Sequence, residues 1–340
     1  MSRSISEAPL RTLRPFFIVL VCSWTALFVT ALFYSSQHPH SYWIMGAALP
    51  AFSVEIFFYL AAVFAETRVW FGNIRSRPLQ ATILWLSALL PFLIFSLGTQ
   101  TFQRNAFLLL ALLCGVLAYW HVLLPRRPAF DIGFLVVAAA PLILRVFSRI
   151  YRSPDEHIRG VDILGHLMWI RLGIAALLIL REWHPGSFGF WPRAHEWKVG
   201  VIYYLIVVIP TCVLGIELGV VEFAPLHLTW WRFTGMTLGY FFGALWVIAL
   251  GEELFFRGFI ERALLDTWRS PVLAILISAV LFGSVHLWFP PPDKFPNWDQ
   301  AILASILGLG CGLAYARTGS VRSSMVTHAF VVTTWRVLFR

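Results

Sequence analysis

The chain has 340 residues, 59% of them hydrophobic and only 13% charged, with a mean hydropathy of +0.75. Ordinary soluble domains are about a quarter charged, so this composition excludes a soluble globular protein and indicates a membrane body. The formal charge of +9 does not indicate nucleic acid, because the basic residues come as ones and twos between apolar runs, as positive-inside loops do.

A bilayer-crossing helix needs about 20 mostly apolar residues. The start, MSRSISEAPLRTLRP, is polar and basic and lacks a small-residue cleavage signal, so the first span is expected to remain as an anchor. Runs of suitable length fall near 15–34, 43–64, 79–98, 106–124, 130–147, 162–180, 199–220, 233–257, 271–289, 300–316 and 322–339. They predict an all-α, polytopic transmembrane helix bundle of about eleven spans, with 130–147 and 322–339 the weakest of the series. The four cysteines, Cys22, Cys114, Cys212 and Cys311, lie inside these runs without a C-x-x-C pair, and imply neither disulfides nor a cysteine metal site.

Basic residues set the expected orientation. Arg3, Arg11 and Arg14, then Arg68, Arg75 and Arg77, Arg126 with Arg127, Arg181 with Arg193 and Lys198, Arg262 with Arg269, and Arg317 with Arg322 fall as cytoplasmic loops should. The loop at 35–42 has no Lys or Arg, and 290–299 has Lys294 alone; the segment 148–161, with Arg149, Arg152 and Arg159, breaks the alternation. These features suggest a multi-pass protein of a plasma (inner) membrane. The stretch PGSFGFWPRAHEWK at 185–198 gathers Pro, Gly, Trp and charge, and is the expected boundary between a region 1–184 and a region 199–340. His38 and His40 beside Pro39 are read as solvated loop residues, PPPDKFP at 290–296 as a stiff outer loop, and Glu55 as an acid hydrogen-bonded to a neighbouring helix.

Charge interrupts the eighth run, VIALGEELFFRGFIERAL at 247–264. A carboxylate at mid-bilayer costs about 2.5–3.5 kcal/mol, so it faces a partner or a watery cavity. Glu253 and Arg257 are four apart and can pair on one helix face. Glu252 then stays on another azimuth without an explanation, unless this helix end already lies at the interface. RSP at 269–271 suits a turn. Around it, Glu252 and His286 are equidistant, 17 residues before and after Arg269, so they fall at one depth in an antiparallel hairpin. Phe282 precedes His286 by one turn and shares its face. His328, in SSMVTHAFVV, can reach the same layer from a third helix. Titratable groups converging in a low-dielectric layer form a candidate site.

The motifs E-E-x-x-x-R (Glu252, Glu253, Arg257) and F-x-x-x-H (Phe282, His286), with the later His328, resemble the CAAX protease and bacteriocin-processing (CPBP/Abi) family of intramembrane endopeptidases, over roughly residues 200–340. The resemblance implies that Glu252 is the general base acting on water together with His286. Glu253 with Arg257 would hold the site or bind the peptide, and His328 would stabilise the oxyanion. The implied partners are a membrane-associated peptide or protein substrate and the lipid bilayer, with the site opening toward the cytoplasm. One position departs from the family: its last motif is H-x-x-x-N, and Val332 stands at the Asn position, with Thr333 and Thr334 the nearest substitutes. No cofactor is assigned. Glu252, His286 and His328 could hold a divalent metal such as zinc, but H-E-x-x-H is absent and a metal-free route is favoured. Two other functions stay open: a non-catalytic scaffold or immunity-type protein of the same fold, which Val332 favours, and a transporter, which only Glu55 and the unassigned first half of the chain support.

Overall fold

The structure, a computed structural model, describes residues 13–37, 42–155, 160–288 and 295–339. Arg3, Arg11, His38, His40, Arg159, Lys294 and the first part of the PPPDKFP loop lie outside the described residues. The described elements are helices, with isolated bridges at Ser187–Ser320 and Phe223–Phe339. The chain divides after Trp183 into two compact units.

The first unit holds α1 (Arg14–Gln37), α2 (Tyr42–Val63), α3 (Ala65–Gly72), α4 (Arg77–Gly98), α5 (Arg104–Leu123), α6 (Pro128–Ile143), the short α7 (Val146–Ile150) and α8 (Ile163–Ala175). The last continues as a π-helical stretch, Ala176–Leu180. Local signals set several boundaries. Ser76 accepts a hydrogen bond from the Leu79 amide and caps α4, and Pro78 suits its first turn. Pro50, Pro91 and Pro141 sit inside helices, as membrane helices tolerate when neighbours satisfy the freed carbonyls. Glu55 pairs with Arg171 of α8 at 2.7 Å, both fully buried. Arg171 also donates to the hydroxyl and the carbonyl of Ser87 on α4, which ties three helices together.

The second unit holds α9 (Ala194–Glu217), α10 (Trp230–Trp268), α11 (Pro271–Ser284, tightening to a 3-10 turn at Val285–Trp288), α12 (Trp298–Thr318) and α13 (Val321–Leu338). Ser270 and Asn297 cap α11 and α12. Gly319, at φ +62°, ends α12 in a left-handed turn that only glycine adopts cheaply. The 185–198 stretch packs within this unit: Ser187 exchanges backbone hydrogen bonds with Gly319 and Val321, and the Phe190 ring stacks on Trp246 at 4.4 Å. Glu196 gathers the Ser320 hydroxyl and the Arg322 guanidinium at 2.6 and 2.7 Å, which fastens α9 to the start of α13.

Nine helices among the described residues are long and apolar enough to cross a membrane, not eleven. The two others among the eleven runs do form helices. Pro128–Ile143 has 16 residues, short of a full crossing. Val321–Leu338 carries Ser323, Ser324, Thr327, His328, Thr333 and Thr334, too polar a set for a span, and all of these but Thr334 are buried within the protein. Helix α10 is longer than expected. Its 39 residues extend about 55–60 Å, roughly twice the hydrocarbon thickness.

Candidate active site

The site is built on α10, where two π-helical stretches, Ala244–Ala249 and Leu254–Glu261, flank the four residues LGEE. Such wide turns weaken the regular bonding ladder and recur at functional sites. Here the neighbours repair it: the Ser278 hydroxyl of α11 donates to the Phe256 carbonyl at 3.1 Å.

The adjacent glutamates have different surroundings. Glu253 is fully buried. Its Oε2 lies 3.2 Å from Arg257 Nε, and its Oε1 lies 2.7 Å from Nδ1 of His328 on α13. Arg257, also fully buried, donates to the Gly308 carbonyl of α12 at 2.8 Å. Its guanidinium lies 4.7 Å above the Phe282 ring of α11, a cation–π contact that shares the charge with an apolar wall. Glu252 keeps 37% of its side chain exposed, with Oε2 3.9 Å from His328 Nε2. That separation is too long for a hydrogen bond and is a distance at which a bridging molecule should be considered.

Both histidines are oriented through Nδ1. His286, in the 3-10 turn, has Nδ1 2.8 Å from the Phe282 carbonyl; a carbonyl only accepts, so Nδ1 carries the proton and Nε2 is the acceptor of the neutral ring. The His286 imidazole also lies within electrostatic reach of Glu252 and Arg257. For His328, the Glu253 carboxylate imposes the same tautomer, with the Nε2 lone pair on the Glu252 side. Phe282 is buried between the two rings, at 4.9 Å from His286 and edge-on to His328 at 5.7 Å. It belongs to an apolar core with Val207, Phe256, Leu307 and Val331. All six residues read from the sequence are therefore in this one neighbourhood, with Phe282 fully buried as its apolar wall.

The metal set that the sequence left possible, Glu252, His286 and His328, does not close up. Among the described residues, the group whose ligand atoms lie within 4.8 Å of one another is Glu253, Cys311 and His328, not Glu252, His286 and His328. That group fits a divalent cation poorly: Glu253 is ion-paired with Arg257, His328 Nδ1 is spent on Glu253, and Cys311 bonds the Ser324 carbonyl.

Sequence reasoning missed three contributors. Cys311 is fully buried, with its sulfur within 4.8 Å of ligand atoms of Glu253 and His328, and no spacing in the sequence marks it. The Gly308 carbonyl is a backbone partner with no sequence signal. Glu261 did carry one, as the third member of an E-x-x-x-R-x-x-x-E spacing; it is buried, and a Cβ on Gly312 would lie 2.9 Å from its Oε2. The substitutes for the missing Asn are otherwise engaged. Thr333 donates to the Ala329 carbonyl at 2.6 Å, Thr334 to the Phe330 carbonyl at 2.9 Å, and Thr334 also meets the Tyr204 hydroxyl at 3.0 Å.

Fold and site together define a multi-pass helical membrane protein with an ionised, protein-enclosed polar centre next to an accessible carboxylate. Residues 234–334 match the family model described as type II CAAX prenyl endopeptidase Rce1-like, so the chain carries an Rce1-like domain over that stretch. The match is narrower than the 200–340 suggested by the motifs, and it contains every candidate site residue and Val332. No curated protein and no solved structure matches the chain.

Proposed function

We propose that the protein is an intramembrane endopeptidase that hydrolyses a peptide bond in a membrane-associated protein or peptide. The carrying observation is the division of labour between neighbours: Glu253 is buried and tied to Arg257 and His328, while Glu252 is accessible and faces His328 Nε2. A buried ion pair holds the centre, and the free-facing carboxylate acts as base. Water bound between Glu252 and the imidazoles gives a proton to Glu252 as its oxygen attacks the scissile carbonyl. The C–N bond then breaks, and the same proton passes to the leaving amine. His286, held by the Phe282 carbonyl, keeps its Nε2 lone pair available to orient the water. His328, held by Glu253 through Nδ1 and facing Glu252 through Nε2, closes the other side of the same space.

The family name supports a prenylated substrate near a CAAX-type terminus. Arg262, Arg269, Arg317 and Arg322 collect at the α10–α11 and α12–α13 turns, which supports a site open to the cytoplasm of a plasma (inner) membrane. Val332 favours a second reading, a non-catalytic scaffold of the same fold, because the neighbouring hydroxyls are spent on their own helix.

The test is cleavage of a membrane-anchored peptide library by purified protein in lipid, wild type beside Glu252→Gln, with and without chelator. Turnover by wild type, retained with chelator and lost in the variant, is expected. No turnover by wild type favours the scaffold, and loss with chelator refutes the metal-free route.

A further inference from the structure

The hydrolytic reading leaves unused a cluster of arginines at one end of the first unit. We infer that this end binds the phosphate of an anionic lipid headgroup. Three apolar helices stop there together: Arg77 opens α4, Arg126 and Arg127 follow α5, and Arg181 and Glu182 follow the π-helical end of α8. Glu182 draws the ends into one plane, at 2.6 Å from Arg77 and 3.1 Å from Arg126. Asp131 of α6 takes Arg181 in a two-pronged pair at 2.8 and 2.9 Å.

Charge does not balance at this end. Arg68, Arg75, Arg77, Arg126, Arg127 and Arg181 stand against three carboxylates, Glu66, Asp131 and Glu182. Arg75 and Arg127 are exposed and make no ion pair among the described residues. The loop that presents Arg75 is fixed, because the buried Gln80 side chain donates to the carbonyls of Phe71, Gly72 and Ile74. Behind the arginines, His121 in the last turn of α5 is buried at 5% exposure, and its Nε2 has no hydrogen-bond partner. It lies within electrostatic reach of Asp131, Arg181 and Arg126. A surplus of guanidinium groups, two of them exposed and without an ion-pair partner among the described residues, asks for an anion with several acceptor oxygens.

The depth of the cluster selects a lipid over a free anion. The arginines stand where apolar helices end, beside the exposed Val69 and Trp70 of α3, which is the headgroup level. Lipid phosphate is already concentrated there.

The test uses the full chain in phosphatidylcholine nanodiscs doped with phosphatidylglycerol, and measures enrichment of the anionic lipid around the protein. The Arg75→Gln/Arg127→Gln variant removes two exposed groups that hold no structural pair, so the fold is kept; its melting point checks this. Enrichment is expected to fall roughly five- to twentyfold, while Arg232→Gln/Arg269→Gln in the second unit leaves it intact. Equal enrichment in wild type and variant, equal loss in the control, or competition by inorganic phosphate would each overturn the proposal.

Discussion

At the scale of single residues, the centre depends on what each side chain faces. Glu252 and Glu253 are chemically identical and adjacent, yet one keeps 37% of its side chain exposed and the other none. Val332 is the position at which the proposed activity is most sharply tested. It lies one helical turn beyond His328 on the same face of α13, the position at which the resembled family carries an Asn. Loss of one oxyanion donor costs about 10²–10³ in rate. Val332→Asn is therefore expected to raise kcat by tenfold or more, with little change in KM, in a peptide-cleavage assay. An unchanged kcat would mean that another group already serves the oxyanion. The sequence made the Glu, Arg and His positions legible because their spacings match helix geometry. It could not reveal that Arg257 lies over Phe282 or bonds the Gly308 carbonyl, since those partners come from other helices.

At the scale of elements, the approach of α11 to α12 decides where His286 stands. A Cβ on Gly283 would lie 2.0 Å from the Ser305 hydroxyl and 2.4 Å from the Ala301 carbonyl. Ser305 can rotate, but the Ala301 backbone cannot. Gly283→Ala should thus force the helices apart, at a cost of about 1–3 kcal/mol, and displace the 3-10 turn that carries His286. A lower melting temperature together with reduced turnover is the expected outcome; unchanged melting would show that the pair tolerates a wider gap. The π-helical stretches of α10 were not legible. Local sequence gives a continuous helix there, and the widened turns depend on tertiary partners such as Ser278. The polar run 322–339 shows the opposite failure: its length suggested a span, but its hydroxyl and imidazole side chains, Thr334 apart, are buried within the protein.

At the scale of the whole molecule, composition alone established a helical membrane protein, and nine of the eleven expected runs meet the length and apolarity of a span. The Rce1-like match covers only part of the second unit. The first unit has its own polar logic, the buried Glu55–Arg171 pair inside and the arginine cluster at one end. Glu55 is thereby a structural partner, as its isolated position in the sequence suggested. The central claim, that two neighbouring glutamates divide catalysis and scaffolding, is tested most directly by comparing Glu252→Gln with Glu253→Gln for both turnover and melting temperature in lipid. The account predicts that Glu252→Gln melts like wild type but does not cleave. Glu253→Gln should lose stability, because Arg257 is left buried without its counter-charge, a loss of about 3–5 kcal/mol. Retained cleavage by Glu252→Gln, or wild-type melting by Glu253→Gln, would contradict it.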